Sequence, residues 1–292
     1  MRFGAIGNMD KPGLAEAVTL LVEKLEGSGV DYVIDAEIAN LLAEKGVVLK
    51  GVHTATRVEC VSNVDILVAF GGDGTILTAA RSVGAYGTPI LGVNLGKLGF
   101  LAELAPEDMD QAIVDIINKK YHIEERLVLE ARSPQIPEKV FRAVNDIVVD
   151  KSHSSRSIDL EAHINGTFAV SYRGDGLIIS TPTGSTAYAL SNGGPIVTPT
   201  CDVIGITPIS PHTLSGRPLV IPDSSTIRVV VHTGNEEVLI SADGQDEAFV
   251  KPFVEVVIRK AEYRVKLVKR VDRTYFDVLR AKLLWGKDVR SM

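Results

Sequence analysis

The stretch Val64 to Phe70 reads as a β-strand, apolar without interruption from Ile66 onward, and it runs directly into Gly71-Gly72-Asp73-Gly74-Thr75. Few folds accept such a junction. A strand buried on both faces belongs to a parallel sheet covered by helices. Glycines at its carboxyl end let the backbone come close to a ligand. The residues from Thr75 on, read as the first turn of a helix, would offer N–H groups to an anion. A phosphate cradle is one reading; a tight strand-to-helix turn is the other. Asp73 separates them, because a carboxylate beside phosphates is repelled unless it holds a metal or takes a proton. Either role points to phosphoryl transfer.

The surrounding pattern agrees. Arg2–Gly7, Val30–Ile34, Val64–Phe70 and Pro89–Val93 are strand-like. Between them, Leu14, Val18, Leu21, Val22 and Leu25 recur at helical spacing, and Ile38–Leu42 and Thr75–Val83 read as helices. After about residue 120 the runs become short and β-rich: 121–132, 141–149, 158–164, 167–173, 177–181, 227–232, 238–242, 254–259 and 264–268. Turn residues divide them, with Asn165-Gly166 as a hairpin signal. The expected architecture is an α/β, Rossmann-like domain over residues 1–105, then an all-β, sandwich-like domain over 106–270. A helical tail, 271–292, packs back. Residues 51–61 carry no feature that assigns them.

Composition narrows the function. The net charge of −6 over 292 residues, with no Lys/Arg-rich run, argues against nucleic-acid binding. Two cysteines, Cys60 and Cys201, form no CxxC pair, which disfavours a disulfide framework and fits a cytoplasmic protein. No run reaches the ~18–20 apolar residues of a membrane helix, and the first residues hold no signal-peptide core. No metal-ligand set is directly identified.

Three further segments carry chemistry. Gly92-Val93-Asn94-Leu95-Gly96-Lys97-Leu98-Gly99 follows a strand and is either a linker turn or a second wall of the phosphate site, with Asn94 in the donor loop. Asn145-Asp146 interrupts the apolar run 143–149. Buried without partners, that pair would cost several kcal/mol, so it marks either a turn or a pair of groups for sugar hydroxyls. Arg173 to Tyr188 ends a strand in the loop Thr181-Pro182-Thr183-Gly184-Ser185-Thr186, which either caps a helix or surrounds a nucleotide. Ala242-Asp243-Gly244-Gln245 reads as a hairpin turn.

Taken in order, GGDGT at 71–75, NxGxLGFL at 94–101, Asn-Asp at 145–146, GDGLIISTPTGSTAYALSNGGP at 174–195, SGRPLVIP at 215–222 and DGQ at 243–245 resemble the ATP-NAD kinase family. GGDGT alone is shared with diacylglycerol kinases; TPTGSTAY together with the Asn-Asp pair is more specific. The resemblance implies that ATP phosphorylates the adenosine ribose 2′-hydroxyl of NAD, with Mg²⁺ or another divalent metal accompanying ATP. It also implies a homodimer or homotetramer. By motif position, Asp73 resembles the family's catalytic base, and Gly71, Gly72, Thr75 and Asn94 line the phosphate-donor loop. Gly74, Asn145, Asp146, Arg173, Asp175, Thr183, Thr186, Ala187, Tyr188, Ser191 and Gln245 resemble NAD contacts, with Asp175 often supplied by a neighbouring subunit. Many bacterial members carry Glu where this chain has Asp146. The rival readings are a lipid kinase sharing the GGDGT loop and a non-catalytic NAD sensor.

Overall fold

The computed structural model describes residues 1–47, 54–213, 215–232, 237–251 and 253–283. In chain order the first unit contains β1 (Arg2–Gly7), α1 (Leu14–Gly27), β2 (Asp31–Asp35), α2 (Ala36–Glu44), β3 (Thr54–Ala55), α3 (Arg57–Ser62), β4 (Ile66–Gly71), α4 (Asp73–Val83), β5 (Ile90–Asn94), α5 (Met109–Ile117) and β6 (His122–Arg126). The strands β3-β2-β1-β4-β5 pair in parallel in that order. The chain therefore winds outward from β1, crosses back, and resumes at β4 beside it. The carboxyl ends of β1 and β4 are the point where winding reverses, the place where open α/β sheets bind ligands. Every residue of β4 is buried, which explains its uninterrupted apolar sequence. Helix α1 buries Leu14, Val18, Leu21, Val22 and Leu25, the helically spaced set.

The second unit is built from β7 (Leu129–Arg132), β8 (Val140–Ala143), β9 (Asp146–Asp150), β10 (Ile158–Ile164), β11 (Thr167–Gly174), β12 (Gly176–Ser180), α6 (Tyr188–Ser191), β13 (Val203–Ile209), β14 (Leu219–Pro222), β15 (Ile227–His232), β16 (Val238–Ala242), β17 (Asp246–Val250) and β18 (Val254–Lys260). These form two six-stranded sheets, β11-β10-β15-β18-β7-β8 and β14-β13-β12-β9-β16-β17. One apolar core joins them, with Phe141, Ile147, Leu160, Leu177, Val229, Ile240 and Ile258 fully buried. This is the expected sandwich. Asn165 and Gly166 take φ of 51° and 80°, the left-handed pair that a two-residue hairpin between β10 and β11 requires.

Two expectations change. The compact units are residues 1–125 with 265–292, and 126–264, in place of a break at 105 and another at 270. Helix α5 buries Met109, Ala112, Ile113 and Ile116 in the first core. β19 (Val265–Lys269) returns to the first sheet and pairs in parallel with β5 through Leu267 and Ile90, and α7 (Tyr275–Leu283) follows it. The second change concerns single runs that are really two strands. Residues 121–132 divide into β6 and β7, and 141–149 divide into β8 and β9, with a bend at Val144-Asn145.

In the stretch left unassigned, the described part forms β3 and α3, while 51–53 lie outside the described residues. Thr56 and Glu59 make a reciprocal capping box at the start of α3. Among the described residues no helix is long and apolar enough to cross a membrane.

Candidate active site

In the first unit, β4 ends at Gly71, which is paired with Asn94 at the end of β5. The Leu95 N–H donates to the Gly71 carbonyl at 3.0 Å, so both loops leave the sheet together. A Cβ on Gly71 would lie 2.1 Å from Thr75 Oγ1, which requires glycine there; Gly72, by contrast, faces open space. Helix α4 begins at Asp73, two residues earlier than the sequence suggested. The Thr75 N–H therefore bonds Gly72 O at 2.9 Å inside the helix and is not open to an anion. Asn94 is buried, and its Oδ1 accepts from the Gly96 N–H at 3.0 Å.

Asp73 stands at the first position of α4, where the helix dipole favours negative charge. Its carboxylate accepts three successive backbone N–H groups: Oδ2 from Phe100 at 2.9 Å, and Oδ1 from Leu101 at 2.9 Å and Ala102 at 3.1 Å. A carboxylate offers about four lone-pair sites, so Oδ1 is filled and Oδ2 keeps one. Gly99 is part of the same lock, since a Cβ there would sit 2.0 Å from Asp73 Oδ1. Asp73 thus binds 99–102 to the GGDGT turn, a contact between segments that the sequence reading treated as separate walls. Beside the 94–98 loop, also within the first unit, lies a cavity of about 670 Å³ walled by Glu16, Leu20, Leu95, Leu98, Pro106 and Arg273.

In the second unit, the bend between β8 and β9 presents Asn145 and Asp146. The Thr181 N–H donates to Asn145 O at 2.8 Å, and Thr181 Oγ1 donates to Val144 O at 2.5 Å. Gly184 fits against the bend with no room for a side chain, because its Cβ would meet Asn145 O at 2.0 Å. The Pro/Gly/hydroxyl loop is therefore stacked on the Asn-Asp corner. Asp146 is 4% exposed, and its Oδ2 has no hydrogen-bond partner; Thr183, 6% exposed, leaves its Oγ1 unpartnered in the same way. Buried polar atoms without partners are costly, and both atoms are open to a hydrogen-bond partner. Burial, and then the charge of Asp243, push the Asp146 carboxyl up to about 7, against a backbone hydrogen bond from Tyr188 that pulls it down. Thr186 Oγ1 bonds Thr183 O at 3.1 Å, Ala187 N–H bonds Gly184 O at 2.9 Å, and Tyr188, 44% exposed, opens α6, with Ser191 exposed at its end.

Not every expected residue joins this corner. Ser180 pairs with Asp146, but Gly176 pairs with Asp150. Asp175 therefore lies five residues back along the strand, roughly 17 Å away at about 3.3 Å per residue. There it is held by Lys151 Nζ at 2.7 Å, and that bond keeps its carboxyl below the usual range. Arg173 is near the same far end, on an exposed strand, 3.7 Å from Asp159. Within one chain neither residue reaches the Asn-Asp corner. Gln245 is exposed on the β16–β17 turn. The residue that turn contributes to the corner is Asp243, whose sequence context shows only a hairpin turn. Cys60 is buried, with its thiol pushed up to about 12 by burial, and takes no part.

A parallel sheet ending in a glycine-rich turn, followed by a β-sandwich with a hydroxyl-lined polar corner, defines a two-unit nucleotide-handling protein. The family models that match are the ATP-NAD kinase N-terminal domain over residues 3–121 and the ATP-NAD kinase C-terminal domain over 144–270. An NAD kinase of Escherichia coli O7:K1 is 39% identical over 286 residues, 97% of this chain and 96% of the relative. One of Bacteroides fragilis is 39% identical over 99% of this chain and 100% of its own. Among solved structures, yeast NADH kinase complexed with NADH gives a TM-score of 0.91 at 26% identity, covering 100% of this chain and 90% of that one. An Archaeoglobus fulgidus NAD kinase in complex with ATP gives 0.75 at 26%, covering 96% and 99%. The chain belongs to the ATP-NAD kinase family.

Proposed function

We propose that the protein transfers the γ-phosphoryl group of ATP to the adenosine ribose 2′-hydroxyl of NAD, giving NADP and ADP. The observation that carries the acceptor side is the Asn145-Asp146 corner, with a buried carboxylate oxygen and a buried Thr183 hydroxyl that both lack partners. An amide and a carboxylate together donate to and accept from vicinal sugar hydroxyls. Tyr188 offers the adenine an exposed ring face. The relatives named as NAD kinases match over 96% and 100% of their lengths, which favours neither the lipid kinase nor the NAD sensor.

The reaction forms a bond from the ribose 2′-oxygen to the γ-phosphorus and breaks the bond from that phosphorus to the β–γ bridging oxygen. The hydroxyl proton passes to Asp73, whose Oδ2 retains a lone pair while three N–H groups fix its position. Such a base acts late, as the P–O bond forms. Gly71, Gly72, Thr75 and Asn94 line the approach of the donor phosphates. Mg²⁺ enters with ATP as part of the substrate and offsets phosphate charge; among the described residues no cluster of three or more His, Cys, Asp or Glu side chains could cage it.

The reading includes a cytoplasmic homodimer or homotetramer, in which Asp175, remote from the corner of its own chain, serves a neighbouring subunit. Asp73→Asn is expected to keep NAD binding, measured by calorimetry, while kcat falls at least ~10²-fold. Turnover like the wild type in that variant would remove Asp73 from the chemistry.

A further inference from the structure

We infer that Asp243 is a positioning residue for the acceptor ribose: its carboxylate is the anchor that gives the Asn145-Asp146 corner its shape. The inference rests on reading that corner as the ribose site.

The bend between β8 and β9 points three consecutive N–H groups to one side, and Asp243 occupies that side. Its Oδ2 accepts from Val144 at 3.0 Å, and its Oδ1 accepts from Asn145 at 2.7 Å and Asp146 at 3.2 Å. Successive N–H groups turned inward form a nest for an anion, and here the anion is supplied by the chain, from 97 residues away. The Asp243 N–H returns a bond to Asp146 O at 2.9 Å, so each turn closes the other. Asp243 itself stands at φ 55°, a left-handed conformation in which Asp and Asn are among the few tolerated side chains. Thr181 and Gly184 hold the opposite side of the bend. With both sides bonded, the backbone that carries Asn145 and Asp146 is held in place before a ligand arrives. The charge of Asp243 also raises the proton affinity of Asp146, second only to burial; the Tyr188 backbone bond is the one opposing influence.

Asp243→Asn is the sharp test. Asn tolerates the same backbone and can still accept from Asn145 and Asp146, but its amide N–H₂ then faces the Val144 N–H, and the charge is gone. In steady-state kinetics of the full-length enzyme with NAD and MgATP, KM for NAD should rise about tenfold or more while kcat falls less. The pH at which KM for NAD changes should move downward, because Asp146 loses its repelling neighbour. Asp243→Gly removes every acceptor without straining the backbone and should raise KM further. Unchanged KM and an unmoved pH midpoint in a folded Asp243→Asn would overturn the inference, as would a lowered melting temperature with both parameters intact, which makes Asp243 a fold residue only. Asn145→Ala, measured alongside, separates the layers. An unchanged KM there sinks the ribose reading itself, whereas a raised KM there with normal Asp243→Asn sinks only the role of Asp243.

Discussion

Asp146 should make the empty protein less stable as pH rises, and Asp146→Asn should abolish that effect. In the fold its carboxyl stays protonated up to about 7, pushed there by burial and by Asp243; in the unfolded chain it ionises near 3.8. Between those values the unfolded state binds fewer protons than the folded one, so stability falls with rising pH, and the fall is complete above the folded value. The separation corresponds to roughly 4 kcal/mol at full strength. Local relaxation around the charged form lowers this to about 2–4 kcal/mol. Asn is neutral throughout and accepts the same Tyr188 bond. Urea unfolding of both proteins without ligand, from pH 4.5 to 8.5, reports the Asp146 group together with its coupling to Asp243, because the remaining carboxyls contribute equally to the two proteins. The variant should exceed the wild type by only about 1 kcal/mol near pH 4.5, which lies just above the unfolded value of 3.8, and by about 2–4 kcal/mol above pH 7.5. Saturating NAD should shrink that gap, since ribose hydroxyls donating to the ionised carboxylate supply the partner that Oδ2 lacks. A difference that is constant across pH, or that favours the wild type at high pH, would refute the reasoning.

Two glycine variants test the locks on either unit. Gly99→Ala drives a methyl into Asp73 Oδ1, breaking charge-assisted bonds worth ~1.5–3 kcal/mol each; kcat should fall at least ~10-fold by displacement of the base, and normal kcat would show that Asp73 is not held as described. Gly184→Ala meets the backbone of Asn145, which cannot rotate away. It should cost about 1–3 kcal/mol in urea unfolding and raise KM for NAD, and an unperturbed variant would contradict the packing of the loop on the corner.

The sequence was legible where chemistry and local pattern coincide. β4 is readable because a strand buried on both faces has no polar position, and α1 because its five apolar residues share a face. Asn145-Asp146 was visible as polar residues in an apolar run, but its bend was not, because the carboxylate that makes the bend lies 97 residues away on another hairpin. β19 was visible as a strand over 264–268, but its place in the first sheet was not, for a related reason. Its five residues look like any neighbouring antiparallel strand, and only the tertiary fold shows that it pairs with β5. β14 and β17 are short sheet edges, and β13 contains Pro208, so none carries a strong strand signal. The Thr56–Glu59 capping box was present in the sequence and would have placed α3. Arg173 and Asp175 came with the resemblance to the family, and one chain holds them far from the corner.

The central claim is tested most directly by incubating the purified protein with NAD and MgATP and following NADP with an NADP-specific dehydrogenase. NADP should accumulate with the wild type and fall at least ~10²-fold in rate with Asp73→Asn. NAD binding without NADP formation under any nucleoside triphosphate would contradict the assignment of a kinase.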